Sequence, residues 1–271
     1  MSEKLENIIN DTETYLKTLK SFQKSNLYIE KTDINKVAPK QEETISETPI
    51  TKTDVTIANN TAKSAIVVED LFGNLTVKKE EWEFTENLDE MNNMICECKK
   101  CPLGETRTKF VFGVGNPNAD IVLIGEAPGA DEDAQGEPFV GRAGQLLNKI
   151  LEATGFEREE VFICNILKCR PPGNRNPVPD EVEKCRPYLE KQLKLLNPKL
   201  VLLLGRVAAE TLLKTKEPLN KLRGRIHNYR GYKVMVTFHP AALLRNPNWK
   251  RPTWDDMKQF KALFETMTGI N

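Results

Sequence analysis

Four short apolar runs, separated by segments of helical periodicity, constrain the fold of this 271-residue chain more than any other feature. Continuous apolar runs of this kind are typical of strands that a parallel sheet buries on both faces. Strands that alternate with helices indicate an α/β fold with a mostly parallel central sheet and helices on both faces. The predicted strands are residues 119–125, 161–167, 200–204 and 232–238, and the predicted helices are residues 87–100, 144–154, 180–196, 205–213 and 253–267.

The first predicted strand leads into a loop rich in carboxylates, which reads GEAPGADED over residues 125–133. Glycine and proline interrupt regular structure there, so the loop is short and stiff. Open α/β sheets place their ligands beyond the carboxyl ends of their strands. The pattern therefore predicts that Glu126 is held at the edge of the sheet, either as a functional carboxylate or as a cap for nearby loop amides.

Two other predicted strands also end near a polar side chain. Asn165 lies near the end of the second strand, and His239 follows the fourth. The ends of parallel strands share one edge of a sheet, so an acid, an amide and an imidazole are expected to converge there. A core amide and a helix cap are the alternative interpretations of Asn165 and His239. The three coincidences together predict an active site without indicating its reaction.

The six cysteines of the chain indicate a metal site rather than disulfides. No signal-peptide pattern and no apolar run of about 20 residues is present, so a cytoplasmic protein, with reduced thiols, is expected. A C-x-x-C pair presents two thiolates to one site, and a second pair completes four soft ligands that suit zinc or an iron–sulfur cluster. Cys96 is a possible substitute in the first pair, and Cys164 lies within an apolar strand, as a core residue does. The predicted ligands are Cys98, Cys101, Cys169 and Cys185.

The formal net charge of zero argues against nucleic-acid binding through overall charge, but it leaves a local basic surface open. Positive residues gather in the loops near the predicted sheet edge, which favours a track for phosphates over a solvated helix face. Phe139, in the loop after the carboxylates, is interpreted as a core residue or as a platform that stacks on a base. The basic residues are Arg142, Lys168, Arg170, Arg175, Arg223, Arg225, Arg230, Arg245, Lys250 and Arg251.

The N-terminal part of the chain differs in composition from the rest. Residues 1–26 have helical spacing and predict a short helix, and residues 27–80 predict a disordered linker because they offer little apolar surface to bury. An apolar island at residues 65–75 is interpreted as a strand or turn that packs on the folded domain, or as a docking peptide. The folded domain is predicted to span residues 81–271.

Several long motifs resemble those of the family 4 uracil-DNA glycosylases, the iron–sulfur branch of the uracil-DNA glycosylase superfamily. The resemblance extends from Cys98 to the C-terminal helix. It implies a three-layer α/β/α sandwich, a [4Fe–4S] cluster on the four cysteines, and removal of uracil from single- and double-stranded DNA by a monomer. The motifs are GEAPGADED, GEPFVGRAG, NILKCRPPGNRNP and HPAALLRNP, together with Cys185.

The resemblance also implies roles for individual residues in the loops. Glu126 would position the attacking water, and His239 would stabilise the charge that develops on uracil O2. Asn165 would read the uracil edge, and Phe139 would stack on the flipped ring. The remaining implied contacts are Gly125 in the uracil pocket, Glu132 at the site of the thymine methyl group, Asn174 beside Glu126, and Leu244, Arg245, Arg142 and Arg175 on the DNA.

Two further interpretations remain at the level of sequence. The first is a DNA-binding module that an iron–sulfur cluster stabilises and that has no catalytic activity, and the second is a zinc hydrolase. The end of VEDLF, residues 68–72, is similar to the pentapeptide with which bacterial DNA enzymes dock on their sliding clamp. It therefore suggests the clamp as a partner of the N-terminal segment.

Overall fold

The computed structural model describes residues 67–69, 75–77 and 79–269. All of these residues belong to one unit, Ala62–Asn271, and residues 1–61 lie outside the described residues. Strand β1 (Val67–Glu69) lies in the apolar island and pairs antiparallel with β2 (Leu75–Val77), which begins at the last residue of the island. The predicted helix at residues 1–26, most of the linker, and the clamp-like residues Leu71 and Phe72 lie outside the described residues.

A six-stranded sheet in the order β3-β5-β4-β6-β8-β7 forms the centre of the fold. Its four middle strands are parallel, and the two edge strands pair antiparallel with their neighbours. The predicted mostly parallel sheet is therefore confirmed. The strands are β3 (Val114–Gly115), β4 (Ile121–Gly125), β5 (Phe162–Asn165), β6 (Leu200–Leu204), β7 (His227–Tyr229) and β8 (Tyr232–Thr237).

Helices cover both faces of this sheet. The described helices are α1 (Leu88–Ile95), α2 (Leu103–Thr106), α3 (Ala130–Gln135), α4 (Arg142–Thr154), α5 (Pro179–Leu196), α6 (Arg206–Leu213), α7 (Leu219–Leu222), α8 (Pro240–Arg245) and α9 (Lys250–Thr268). Short 3-10 turns add Glu81–Phe84, Pro172–Asn174 and Pro247–Trp249. None of the helices that the structure describes has the length and apolar character needed to cross a membrane.

Alternation along β4 shows how the sheet separates two cores. Val122 and Ile124 pack in one core with α1, α5 and α6, while Ile121 and Leu123 pack in the other with α4 and α9. All five residues of β4 are buried, as are all five of β6. Successive side chains of a strand point to opposite faces, so the two buried faces define a three-layer α/β/α sandwich.

Two predicted helix boundaries were wrong. The helix predicted over residues 87–100 ends at Ile95, so Cys98 and Cys101 lie in the loop that follows it. The chain turns there because the amide of Cys98 donates to the carbonyl of Ile95, and Arg107 binds the carbonyls of Cys96 and Cys98.

The fifth helix begins earlier than Asp180, the predicted cap. Pro179 occupies its first turn, where proline costs no hydrogen bond. The N-cap residue is Val178, whose amide donates to the Glu181 carboxylate at 3.0 Å. Asp180 therefore lies within the helix rather than at its cap.

Candidate active site

Backbone hydrogen bonds hold the loop that carries Glu126 against its neighbouring strand. The carbonyl of Gly125 accepts from the amide of Ile166 at 3.1 Å, and the carbonyl of Glu126 accepts from Leu167 at 3.1 Å. Because β4 and β5 are parallel neighbours, these bonds continue their pairing beyond the last residues of the strands. Glu126 is thereby placed at the carboxyl edge of the sheet.

Gly125 brings two predicted site residues together because it has no side chain. A Cβ atom at this position would lie 2.3 Å from Asn165 Oδ1 and 2.7 Å from Phe139 Cζ. Neither contact is possible for a real Cβ atom, so any other residue at position 125 would displace the amide or the ring. The absence of a side chain at Gly125 thus allows the Asn165 amide and the Phe139 ring to meet, although Gly125 itself is not among the residues that line the active-site cavity.

The Glu132 carboxylate braces the loop that carries Phe139. It accepts hydrogen bonds at 3.1 Å from the amides of Gly129, Val140 and Gly141. Phe139 itself has a φ of 55°, a region that bulky residues rarely adopt, and its side chain is buried. Strained backbone of this kind persists only where its surroundings fix it, and the three bonds to Glu132 provide that support.

Asn165 presents a buried amide to the cavity. Its side chain is 2% exposed, and its Oδ1 atom has no hydrogen-bond partner among the described residues. The Lys168 ammonium supports its backbone carbonyl at 2.8 Å and also donates to Gln192 at 2.6 Å. Buried polar atoms without a partner are uncommon, and a ligand often supplies the missing hydrogen bond.

His239 caps α8 in a way that fixes its tautomer. Its Nδ1 atom accepts from the amide of Ala241 at 3.1 Å, so the proton of the neutral ring lies on Nε2. Burial, with a smaller contribution from the charge of Arg245, lowers the pKa of His239 to about 4. At neutral pH the imidazole is therefore uncharged. The cap uses only Nδ1, so the Nε2–H group is not engaged by it. The ring centroid of Phe139 lies 5.4 Å away.

The charge of Arg245 lowers the pKa of both Glu126 and His239, an effect that the sequence did not reveal. Burial raises the pKa of Glu126, while the guanidinium groups of Arg206 and Arg245 lower it. Arg206, which follows Gly205 at the end of β6, was not predicted as a site residue. Its signal was the position after the third parallel strand, the one strand for which no polar residue had been noted. Gly205 leaves room for His239, because a Cβ atom at position 205 would lie 2.8 Å from the Cβ atom of His239.

These elements enclose a cavity of about 660 Å³ at the carboxyl edge of the sheet. The structure thus brings Glu126, Asn165 and His239 together, as their strand positions predicted. Arg142 and Leu244 are exposed and do not line the cavity. The other predicted site residues that line it are Glu132, Phe139, Asn174, Arg175 and Arg245.

Two of the predicted polar residues have partners within the chain. The Asn174 amide oxygen accepts from Arg170 Nε at 2.8 Å, and no hydrogen bond joins it to Glu126 in the described residues. Arg175 makes a paired contact with the Glu181 carboxylate at 2.6 and 3.0 Å. These contacts hold both side chains in the wall of the cavity.

The predicted phosphate track was wrong at two positions. Lys168 is 0% exposed and bonds inside the fold, so it is unavailable to DNA. Arg223 pairs with Asp256 at 2.7 Å, and its guanidinium lies 4.3 Å from the ring centroid of Phe238. Sequence periodicity gave no sign of the contacts of Lys168 with Gln192 and of Arg223 with Asp256, because each joins residues that are distant in the chain.

The four predicted ligand cysteines lie close enough to influence one another. Burial, opposed by the charge and hydrogen bond of Arg107, raises the pKa of Cys169 to about 11, and the neighbouring Cys101 and Cys98 thiols contribute to the increase. Burial likewise raises the pKa of Cys185 to about 12, with Cys169 and Cys98 among the other causes. Two of these thiols, Cys169 and Cys185, are buried, and Cys98 and Cys101 are partly buried. Four neighbouring thiols form a soft donor set of the kind that binds zinc or an iron–sulfur cluster.

Hydrogen-bond donors surround the sulfur atoms of this set. Tyr188 Oη donates to Cys98 at 3.2 Å, Arg107 to Cys169 at 3.5 Å, and the Lys168 amide to Cys185 at 3.4 Å. Such donors stabilise thiolates and tune the metal that they bind. Residues 79–269 contain no group of three His, Cys, Asp or Glu side chains arranged around a single metal ion. The four soft sulfur donors and the hydrogen bonds to them are of the kind that fits an iron–sulfur cluster.

The other two cysteines lie outside this set. Cys164 is 0% exposed in β5, in agreement with the prediction of a core residue. The Cys96 thiol donates to the carbonyl of Asn93 at 3.5 Å. The described contacts of Cys96 therefore do not support its substitution for Cys98.

A mostly parallel α/β/α sandwich whose acid, amide and imidazole meet at the carboxyl ends of its strands has the architecture of an α/β enzyme. Residues 112–258 match the family model described as the uracil DNA glycosylase superfamily. The chain belongs to this superfamily, in its type-4 branch.

Curated relatives distinguish between branches of the superfamily. The type-4 uracil-DNA glycosylase of Archaeoglobus fulgidus is 43% identical over 186 residues, which cover 66% of this chain and 94% of that protein. Two proteins of Pyrobaculum aerophilum allow a comparison within one organism. Its type-4 enzyme is 41% identical over 64% of this chain and 93% of its own length, and its type-5 enzyme is 30% identical over 54% and 70%.

Proposed function

We propose that the chain is a monofunctional uracil-DNA glycosylase, which hydrolyses the N-glycosidic bond of deoxyuridine and leaves free uracil and an abasic site. Its membership of the type-4 branch supports this activity. The observation that carries the proposal is the meeting of Glu126, Phe139, Asn165 and His239 in one cavity. A uracil inside duplex DNA reaches such a cavity only after it has been flipped, at a cost of roughly a few kcal/mol.

Uracil recognition falls to Asn165 and Phe139. The Asn165 amide donates to uracil O4 and offers its unpartnered Oδ1 atom to the N3–H group. Cytosine reverses both polarities, and a buried site rejects such an analogue strongly because its polar groups are left unpaired. Phe139 supplies the face on which the flipped ring stacks, and its loop is already braced before DNA binds.

Glu126 and His239 carry the chemistry of bond cleavage. As the N-glycosidic bond breaks, positive charge develops on the sugar and negative charge on uracil. The Glu126 carboxylate favours the sugar cation and orients a water towards C1′. The neutral His239 donates from Nε2 to uracil O2, as an oxyanion-type donor does. Its Nδ1 cap aims the donor without any need for a charged ring.

The remaining predicted residues act around these four. Glu132 both braces the loop of Phe139 and narrows the space for a thymine methyl group. Leu244 is 40% exposed at the end of α8, where an apolar side chain fills the place of the flipped base. Arg245, Arg142 and Arg175 contact the DNA backbone, and Asn174 acts through the cavity wall rather than directly on Glu126.

The test of this function is a uracil-release assay with the purified full chain on single- and double-stranded oligonucleotides. Free uracil and an abasic strand that remains uncut are expected, in the presence of EDTA. A folded protein that binds DNA and releases no uracil from either substrate would instead be a non-catalytic DNA-binding module.

The pH dependence of uracil release is expected to follow the ionisation of Glu126. Burial raises the pKa of this carboxyl group, so activity falls with decreasing pH while His239, with a pKa of about 4, is still neutral. Arg206 lowers the pKa of Glu126. Substitution Arg206→Gln therefore raises that pKa, and the acidic limb of the pH–rate profile moves to higher pH.

Arg230→Gln is the matched control for this shift, since Arg230 pairs with Glu190 at 2.9 Å and does not contribute to the pKa of Glu126. Its profile is expected to coincide with that of the wild type. An unchanged acidic limb in Arg206→Gln would show that another group governs the pH dependence.

We further propose that Cys98, Cys101, Cys169 and Cys185 hold a [4Fe–4S] cluster. When bound, the cluster would supply a structural link between the loop after α1, the loop after β5, and α5. Asn165 lies four residues before Cys169, so this link also steadies the strand that reads uracil. The hydrogen bonds from Arg107, Lys168 and Tyr188 support the assignment.

Cys98→Ser is expected to lose most of the bound iron and the visible absorption near about 400 nm. Because metal-binding free energy contributes to folding, the Tm falls by about 10 °C or more. Cys96→Ser, two residues away, is the control and is expected to retain iron and Tm. If the two variants lost iron equally, or if zinc replaced iron in the wild type, the assignment of these ligands would be wrong.

A further inference from the structure

Trp249 is an aromatic residue of the cavity, and the proposed recognition of uracil gives it no role. It ends the 3-10 turn Pro247–Trp249, lines the same cavity as Glu126 and His239, and is 38% exposed. Its ring stacks on Phe238 with a centroid separation of 4.7 Å and an interplanar angle of 8°. Phe238 is 5% exposed, so Trp249 forms the accessible layer of this aromatic pair.

A network of polar contacts fixes this pair before DNA arrives. The Arg223 guanidinium lies 4.3 Å from the ring centroid of Phe238 and pairs with Asp256 at 2.7 Å. Thr237 also donates to Asp256, at 2.6 Å. The carbonyl of Trp249 accepts from the hydroxyl of Thr253 at 2.8 Å. The indole is therefore preorganised, which reduces the entropy that a ligand must offset on binding.

The dimensions and charge of the cavity leave room for more than the flipped base. A single pyrimidine ring fills only part of about 660 Å³. Phe238 directly precedes His239, so the aromatic pair adjoins the imidazole assigned to uracil. Arg245, Lys250 and Arg251 lie within four residues of Trp249 in the sequence and are exposed, so they are available to a phosphate backbone. A partly open aromatic face among cations is the arrangement with which proteins bind single-stranded nucleic acid.

We propose that Trp249 forms a second base-binding subsite, on which the base of a nucleotide adjacent to the flipped uracil in the same strand stacks. This inference rests on the proposed function. When uracil leaves the stack, each adjacent base loses a stacking partner. Leu244 fills the vacated place, and the indole provides a separate stacking face for one of the two adjacent bases. Stacking of this kind tolerates any sequence because every base has a π-face. The subsite therefore stabilises the flipped state without selecting the neighbouring base.

The experiment compares full-length variants on single-stranded oligonucleotides that contain one uracil. Trp249→Ala is expected to lower kcat/KM by about 5- to 100-fold, the range expected for loss of one stacked base. Trp249→Phe retains most of the activity. Trp254→Ala is the matched control, because Trp254 is also 38% exposed but does not line the cavity. Its kcat/KM is expected to equal that of the wild type.

A second set of oligonucleotides carries a stable abasic analogue on either the 5′ or the 3′ side of the uracil. Removal of the base that Trp249 contacts is expected to lower the wild-type kcat/KM and to make Trp249→Ala equal to the wild type. The subsite would be rejected if Trp249→Ala had the wild-type kcat/KM on intact DNA. It would also be rejected if the loss of kcat/KM in Trp249→Ala stayed the same whichever neighbouring base was removed. Tm and visible absorption identify a deficit caused by misfolding. Failure of the wild type on every oligonucleotide would reject the glycosylase activity itself.

Discussion

Glu126→Gln is expected to lower the single-turnover rate of uracil release by about 10²- to 10⁴-fold, the usual contribution of a positioned acid or base. Glutamine keeps the shape of the side chain and removes its negative charge. Positive charge develops on the sugar only in the transition state, so a carboxylate stabilises that state more than the bound substrate. The loss is therefore expected in the rate at saturating enzyme, with little change in DNA affinity.

Asp120→Asn provides the control for the loss of one negative charge. Asp120 directly precedes β4, at the end opposite to Glu126, and its side chain pairs with Lys199 at 2.8 Å. This variant is expected to keep the wild-type rate. A rate for Glu126→Gln within about tenfold of the wild type would remove Glu126 from the reaction, since that loss is smaller than general acid–base catalysis supplies.

Asn165→Asp is expected to lower kcat/KM for uracil by about 10³-fold or more, because sites built to hydrogen-bond a substrate reject mismatched groups strongly. The substitution replaces the NH₂ donor with a second acceptor, which then faces uracil O4. It also places a carboxylate at a side chain that is 2% exposed. Competition assays with the abasic product, which has no base to read, are expected to show nearly unchanged DNA binding.

Asn220→Asp adds a negative charge to the cavity but leaves the amide donor of Asn165 in place, so it separates the two effects of Asn165→Asp. Asn220 also lines the cavity, but its side chain is exposed. A negative charge there repels DNA without affecting the reading of uracil, so the loss is expected to stay within about tenfold, as for one weakened phosphate contact. Equal losses in the two variants would show that charge, rather than recognition by Asn165, limits the activity.

Much of the fold was predictable because burial on both faces leaves a direct mark on sequence. The runs that form β4 and β6 are continuously apolar, and the structure buries every residue in them. The short antiparallel strands β3 and β7 escaped prediction because neither is fully buried. Helix ends were less certain, since the end of α1 depends on the side chain of Arg107, which comes from a later loop.

The sequence by itself determined which chemical groups reach the edge of the sheet. Parallel strands must end on one side, so Glu126, Asn165 and His239 were bound to meet wherever their strands became neighbours. The spacing of the four cysteines predicted a shared set of soft ligands, and the choice of an iron–sulfur cluster came from family resemblance. These features depend on strand direction and on local sequence.

Only the tertiary structure decided how these groups are tuned and what surrounds them. It assigned Arg206 to the field of Glu126, buried Lys168 behind Asn165, and turned Arg223 inward to Asp256. It also exposed Trp249 on the cavity wall. These outcomes depend on contacts across the fold between residues far apart in the chain, such as the contact of Lys168 with Gln192. Periodicity and local motifs carry no record of such contacts, so the charge, burial and partners of a side chain become known only when the chain is folded.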